Sequence, residues 1–270
     1  HDGSVKYEST TEKPVVSFSN DNGDTWSELE IIPDAYNRPM TLAYLDNGCL
    51  TFQAAYIRYF SYDYGRTWKD RVQVPTASNG HEWNCEGNPL VEKDENCNIV
   101  IAEVGYNLNP EKYPIGPTNQ FIRWSRDMGQ TWTDEIQPHE WLWQEEYNGK
   151  VYTRSISEGS LVRAKNGWLV AALRTDMPPR YFDVPNDDSL EGTAVSISKD
   201  NGRTWTPLNF LYDAGRHHAH LLLMPDGDIV MTMIVRDDIR EGKLFSYRRG
   251  CEAIISHDNG LTWDIDHKYI

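Results

Sequence analysis

The octet SKDNGRTW at residues 198–205 has four counterparts elsewhere in this chain. All five copies have the pattern Ser-x-Asp-x-Gly-x-Thr-Trp, with no substitution at the five fixed positions. The other copies are SNDNGDTW (19–26), SYDYGRTW (61–68), SRDMGQTW (125–132) and SHDNGLTW (256–263). Copies that start between 42 residues apart (19 to 61) and 73 residues apart (125 to 198) indicate a solenoid or a propeller of small, similar units.

A hairpin pattern precedes four of the octets and decides between these two architectures. Each copy has two apolar segments around a tight polar turn: TLAYLDNGCLTF (41–52), PLVEKDENCNIVIAE (89–103), SLVRAKNGWLVAAL (160–173) and LLLMPDGDIVMTM (221–233). Asn-Gly and Asp-Gly between apolar segments are strong hairpin signals. A third strand leads into each octet, as in TAVSIS (193–198), and a fourth is expected after its Trp. Four antiparallel strands per unit predict an all-β propeller.

The fixed residues of the octet are typical of a turn. Ser and Asp side chains accept hydrogen bonds from nearby backbone N–H groups, Gly takes a positive φ, and Trp packs into the blade. We therefore interpret the octet aspartates as structural rather than catalytic: Asp21, Asp63, Asp127, Asp200 and Asp258.

Composition narrows the classes of partner. The 270 residues carry a net charge of -15 and no cluster of Lys and Arg, which argues against nucleic acid. The four Cys form no CxxC pair and have no His at metal-ligand spacing, so we expect neither a metal nor another cofactor. No apolar run is long enough to span a bilayer, so no membrane association is expected. The chain shows no signal peptide, so either export is not needed or the leader lies outside this sequence. We expect a secreted or periplasmic protein.

The octet resembles the Asp-box of the sialidase (neuraminidase) superfamily, and the resemblance extends through essentially the whole chain. It implies a six-bladed propeller in which Asp-boxes join the third and fourth strands of the blades. Counting the octets gives the latter part of blade one and then blades two to five, in a single domain over residues 1–270. We thus expect an incomplete set of about five blades, with the opening strand of blade one and all of blade six outside this sequence.

A more specific resemblance lies in SEGSLVRAKNGWLVAALR at 157–174, where Glu158 and Arg174 are sixteen residues apart. Sialidases have a Glu and an Arg at this spacing around a hairpin. The resemblance implies that Glu158 polarises a Tyr nucleophile and that Arg174 binds the substrate carboxylate. Arg suits that role because its planar fork of donors matches a carboxylate. The alternative is a simple ion pair across the hairpin.

The remaining arginines of such a site are less well defined. The third family Arg lies about eight residues before an Asp-box Ser, which Arg248 matches, with Arg249 and Arg236 as rivals. Arg38, next to Pro39, imitates the first family Arg but follows an octet, so we assign it to the start of blade two. The resemblance places the Tyr nucleophile and the Asp acid outside this chain.

Two long aromatic and acidic connections, HEWNCEGNP (81–89) and HEWLWQEEYNG (139–149), supply candidate sugar contacts. Trp83, Glu86 and Trp143 contact sugar in one interpretation, and the tryptophans anchor the loops in the other. In GRHHAH (215–220), only alternate residues share a strand face, so we favour His218 as a hydrogen-bonding group over a metal site.

Together these features predict a sialidase-like retaining glycosidase acting on a terminal sialic acid or related sugar acid, with a glycan substrate. The alternatives are a non-catalytic glycan- or protein-binding propeller, and a propeller hydrolase or lyase for a different sugar. The sequence leaves the oligomeric state open.

Overall fold

A computed structural model describes residues 12–108, 118–183, 187–240, 243–246 and 249–267. In this part the chain is all-β, with strands β1–β21 and short 3-10 helices at His139–Trp141, Pro179–Tyr181 and Asp187–Leu190. The chain divides into two compact units, His1–Pro75 and Thr76–Ile270. No helix in the described ranges is both long and apolar enough to cross a membrane.

The first unit contains a short strand pair and one four-stranded antiparallel sheet. The pair is β1 (Val15–Val16) and β2 (Glu30–Ile31). The sheet has the order β3-β4-β5-β6, with bounds Pro39–Asp46, Cys49–Ala54, Ile57–Ser61 and Asp70–Gln73. Phe52, Tyr59 and Trp68 are buried in its core.

The second unit contains three blade-like sheets, each a simple antiparallel meander. The first has β7 to β10, at Leu90–Lys93, Ile99–Asn107, Asn119–Ser125 and Thr133–Ile136. The second has β13 to β16, at Ile156–Arg163, Leu169–Thr175, Gly192–Ser198 and Asn209–Tyr212. The third has β17, β18 and β21, at Arg216–Leu223, Ile229–Val235 and Gly250–Ser256.

Two further hairpins interrupt this repeat. Strands β11 (Trp143–Tyr147) and β12 (Lys150–Arg154) form a pair between the first and second sheets. Strands β19 (Asp238–Arg240) and β20 (Lys243–Ser246) form another within the third sheet's sequence. Neither hairpin was predicted, although Asn148-Gly149 at the first turn is a hairpin signal.

The prediction of an all-β propeller with an incomplete set of blades is confirmed, with four blade sheets in the described part of the chain. The predicted hairpins correspond to β3–β4, β7–β8, β13–β14 and β17–β18. In the second unit the sheets stack face to face. One apolar layer includes Ile122 and Leu173 of neighbouring sheets, and the next includes Val170 and Met231.

Four of the five octets start at the last residue of the third strand of a blade sheet, at Ser61, Ser125, Ser198 and Ser256. In the copy at 198–205, the Ser198 hydroxyl donates to Asp200 Oδ1 at 2.8 Å and accepts the Gly202 N–H at 2.7 Å. Asp200 also accepts from the backbone N–H (2.9 Å) and the hydroxyl (2.6 Å) of Thr204. Two consecutive positive φ angles, 63° at Asn201 and 86° at Gly202, reverse the chain. The other four copies have the same Ser–Asp, Gly–Ser and Asp–Thr bonds.

Burial of the octet Trp is less uniform than the bonds of the turn. Trp68, Trp205 and Trp263 are buried, Trp132 is partly buried, and Trp26 is 64% exposed. The Trp26 indole still donates to the Gly23 carbonyl at 2.9 Å. The expectation that every octet Trp packs into its blade is therefore wrong for the first copy, and the turn forms without that packing.

Candidate functional site

The candidate site is built around Glu158, at the start of the first strand of the second unit's middle sheet. Strand β13 pairs with β14 through Ile156↔Thr175 and Gly159↔Leu173, and the register shifts between these pairs. Such a bulge re-aims the side chains that it contains. Glu158 lies in the bulge, is 5% exposed, and accepts a hydrogen bond from Nη1 of Arg174 near the end of β14. Glu158 and Arg174 thus form the ion pair that was the alternative interpretation, and their roles toward a substrate stay predictions.

Arg174 lies between two carboxylates. Its Nε donates to Glu191, and its Nη1 donates to Glu158. The three side chains are only 11%, 19% and 6% exposed, respectively. Sequence reasoning missed Glu191. Its position directly before β15, whose Thr193 pairs with Arg174, was the available signal.

His218, on the first strand of the next sheet, contacts both Glu158 and Arg174. We refer to Glu158, Arg174 and His218 as the triad. The Nδ1 of His218 lies 2.9 Å from Glu158 Oε2, and its Nε2 lies 3.4 Å from Arg174 Nη1. Burial alone would raise the pKa of Glu158, but the hydrogen bond from His218 and the charge of Arg174 outweigh it, so the pKa is lowered. Glu158 is therefore held ionised and oriented by two donors.

The backbone at His218 corrects the prediction that only alternate residues of GRHHAH share a face. His218 has a φ of 53°, and the register of β17 against β18 shifts between His217 and His220. As a result the neighbouring rings of His217 and His218 lie 4.9 Å apart, and both approach Glu158. A non-glycine residue in this region of φ/ψ space is strained, and such strain clusters at functional sites.

Glu158, His217 and His218 are of the residue types that bind metal ions, with ligand atoms within 4.8 Å of one another. The guanidinium of Arg174 is hydrogen-bonded to the same carboxylate, and its positive charge opposes a second cation there. The absence of a metal stays a prediction.

Tyr106 at the end of β8 approaches the site from the preceding sheet. Its hydroxyl donates to Glu86 Oε1 at 3.2 Å. Burial, together with the negative charges of Glu86 and Glu158, raises the pKa of Tyr106 well above its usual value. Tyr106 is thus a neutral hydrogen-bond donor, and Glu86, predicted as a sugar contact, is its acceptor.

The two tryptophans predicted as sugar contacts differ in environment. Trp83 is 1% exposed, with the Arg123 guanidinium 3.6 Å from its ring centroid. The sugar-contact prediction for Trp83 is therefore corrected: the residue anchors its loop, because Arg123 and Phe121 pack against the ring. Trp143 at the start of β11 is partly exposed and lines a cavity with Phe210.

The additional arginines predicted for the site lie on different elements of the fold. Arg236 directly follows β18 and is partly buried, which parallels Arg174 near the end of β14. Arg38 lies exposed before β3 in the first unit. Arg248 lies outside the described residues, so its predicted role stays a prediction, and Arg249 is exposed.

Comparisons with known proteins report similarity in sequence and in fold. No family model matches the chain. A sialidase from Clostridium perfringens is 22% identical over 94% of this chain and 65% of its own length. A sialidase from Paraclostridium sordellii is 25% identical over 92% of this chain and 48% of its own length. The chain thus spans between about half and two thirds of these curated relatives.

Solved structures share the fold at low sequence identity. A protein of unknown function from Dyadobacter fermentans matches with a TM-score of 0.62 and 18% identity, over 91% of this chain and 68% of that one. The NanB sialidase of Streptococcus pneumoniae matches with a TM-score of 0.52 and 14% identity, over 92% of this chain and 36% of that one. The fold that the chain shares with these structures is the sialidase-type β-propeller. The sequence and fold similarities together support a β-propeller that resembles those of the sialidase superfamily.

Proposed function

We propose that this propeller is the substrate-binding part of a retaining, sialidase-like glycosidase that acts on a terminal sialic acid or a related sugar acid. The observation that carries the proposal is the contact between Glu158 and Arg174, at the sixteen-residue spacing of sialidases and at a β-bulge. The curated relatives, both named sialidases, support it.

Each residue of the triad has a chemical role in this proposal. Arg174 is the permanent cation that binds the substrate carboxylate, since a guanidinium presents paired donors and stays charged at all working pH values. Glu158, ionised and held by Arg174 and His218, is placed to polarise the hydroxyl of a tyrosine nucleophile. Tyr106 is not assigned that role, because its hydroxyl donates to Glu86 and its pKa is raised.

The test uses the full-length protein with an aryl α-sialoside. We expect turnover, and we expect Arg174→Ala to lower kcat/KM by about 100-fold or more, because it removes a charge-assisted contact to a buried carboxylate. Arg174→Lys, which keeps the charge but not the fork, should recover only part of the loss. The matched control is Arg163→Ala on the same blade, whose guanidinium pairs with Glu92 at 2.6 Å.

Either of two results would overturn the proposal. One is the absence of sialoside turnover by the wild type. The other is equal turnover by wild type and a folded Arg174→Ala variant, with the melting temperature of each variant measured to confirm folding.

One observation favours a second candidate, a propeller hydrolase for a neutral sugar. Arg174 already pairs with two carboxylates, and the chain as a whole carries a net charge of -15. Both features oppose an anionic ligand. Aryl arabinofuranosides and galactosides separate the two candidates, because only a sugar acid needs the charge of Arg174.

A further inference from the structure

A cavity of about 220 Å³ lies within the second unit, and Thr175, which directly follows Arg174 on β14, is one of its lining residues. Its walls come from the β11–β12 hairpin (Trp143 and Glu145), the end of β14 and the following segment (Asp176 and Arg180), and β16 (Phe210). Asp176 is two residues beyond Arg174, and the charge of Arg174 acts on its carboxyl group. The cavity therefore adjoins the proposed site.

Trp143 gives the cavity an aromatic wall that is held in place. Its ring packs against the apolar layer between two blade sheets, and Phe210 meets it edge-on, with 5.1 Å between ring centroids and 73° between planes. A fixed indole with a partly exposed surface suits the apolar C–H face of a sugar ring, because indole is large, rigid and amphipathic.

Polar groups converge on the same cavity and suit sugar hydroxyls. The Asp176 side chain is 12% exposed, accepts the Ser155 N–H at 2.9 Å, and lies 3.9 Å from Arg154. On the other side, Arg180 is paired with Asp213. The buried Asp176 carboxylate and the partly exposed Arg180 guanidinium suit a polar ligand, because hydrogen bonds to such groups are directional.

Charge and size restrict the ligand further. Asp176, Glu145 and Asp213 line the cavity with one lining arginine, Arg180, so an anionic ligand is repelled. The volume is below the roughly 300–1,000 Å³ of pockets for drug-sized ligands, which leaves room for about one ring. These constraints select a small, neutral, hydroxyl-rich ring.

We propose that this cavity is a subsite for one neutral hexose unit of a glycan, with Trp143 as its stacking platform. The inference deepens the proposed function, since the unit would adjoin the sugar held by Arg174. Its test needs no catalysis, so the two proposals can fail separately.

The experiment measures binding of methyl β-galactoside and methyl β-glucoside to the full-length protein by saturation-transfer NMR and tryptophan fluorescence. We expect millimolar binding of at least one of them, and at least tenfold weaker binding of glucuronate. Trp143→Ala should weaken the neutral sugar at least tenfold, and Trp143→Phe, which keeps an aromatic ring, should restore most of the affinity. The matched control is Trp168→Ala, a partly buried tryptophan of the same unit that lies under Lys199 rather than in the cavity.

The subsite is refuted if Trp143→Ala and Trp168→Ala bind the neutral sugar equally well, if glucuronate binds as tightly, or if neither neutral sugar binds. A failure of sialoside turnover would overturn the proposed function alone, because binding at Trp143 is measured without it. Conversely, an active enzyme with no sugar binding at Trp143 would retain the function and lose the subsite.

Discussion

Two buried acids near the site, Glu158 and Asp176, show how partners decide the charge of a carboxyl group. Glu158 has two strong donors, His218 and Arg174, and its pKa is lowered despite burial. Asp176 has one backbone donor at 2.9 Å and Arg154 at 3.9 Å, and burial raises its pKa to about 6. Desolvation thus dominates where donors are few or distant, and loses where two charge-assisted hydrogen bonds converge.

The raised pKa of Asp176 predicts a pH-dependent stability. Because the folded pKa of about 6 exceeds the ordinary aspartate pKa of 3.8, the folded state takes up the proton first. Stability should therefore rise as pH falls through 6 toward 3.8, by up to about 3 kcal/mol, and fall again as pH rises through 6. Urea unfolding of Asp176→Asn should lack this gain between pH 7.5 and 5. The control is Asp24→Asn, which replaces an exposed aspartate. If the stability of Asp176→Asn depends on pH as the wild type's does, the gain in stability does not come from Asp176.

The contact between His218 and Glu158 predicts a shift in the pH profile of the proposed activity. His218 is one of the groups that lower the pKa of Glu158, so His218→Ala should raise that pKa. The acid limb of kcat/KM should then move to higher pH, since Glu158 acts as a carboxylate. His257→Ala, which removes an exposed histidine bonded to Asp228, should leave the limb in place. If the acid limb of kcat/KM stays at the same pH in His218→Ala, then His218 does not influence the ionisation of Glu158.

At the scale of elements, turn chemistry was readable from the sequence, whereas irregular backbone was not. Asn-Gly or Asp-Gly located three of the four predicted hairpins, because those residues accept the positive φ that tight turns need, and the polar run DENCN at 94–98 located the fourth. The bulges at Glu158 and His218 carry no such composition, and they bring Glu158 and both histidines together. The Glu–Arg pair was found through its spacing, and Glu191 was missed because its contact depends on side-chain geometry.

Three glycines, one of them in an octet turn, should differ in how much an alanine substitution destabilises the fold. At Gly202 a Cβ would lie 2.6 Å from the Trp124 ring, and φ is 86°. Gly202→Ala should therefore combine a backbone cost of about 1–2 kcal/mol with an overpacking cost of about 1–3 kcal/mol. At Gly167 φ is 88° but no atom lies within 4 Å of the added Cβ, so only the backbone cost applies. Gly250, with neither a positive φ nor a neighbour within 4 Å, is the neutral control.

Urea unfolding of the three variants measures this series. The expected order of destabilisation is Gly202→Ala, then Gly167→Ala, then Gly250→Ala. Equal losses at Gly202 and Gly167 would show that the Trp124 contact relaxes without cost.

For the whole molecule, the net charge of -15 sets the field in which a sugar acid must bind. Arg174 attracts the carboxylate of a sugar acid over contact distances, whereas the remaining negative charge of the protein repels it over longer distances. Salt at 0.15 M screens exposed charges beyond about 8 Å, so it weakens the repulsion more than the contact. The affinity for an anionic substrate should therefore increase with ionic strength, whereas the affinity of a basic protein for such a substrate would decrease.

This coupling predicts that added salt strengthens binding of a sialic acid analogue. From 20 to 200 mM NaCl, we expect the affinity for 2-deoxy-2,3-dehydro-N-acetylneuraminic acid, measured by calorimetry, to rise about two- to threefold. Methyl β-galactoside at the Trp143 cavity should bind independently of salt, because it carries no charge. An affinity for the anionic analogue that falls with salt would mean that the arginines near Glu158 dominate the field over long distances, and that the local charge of the site outweighs the acidic surface.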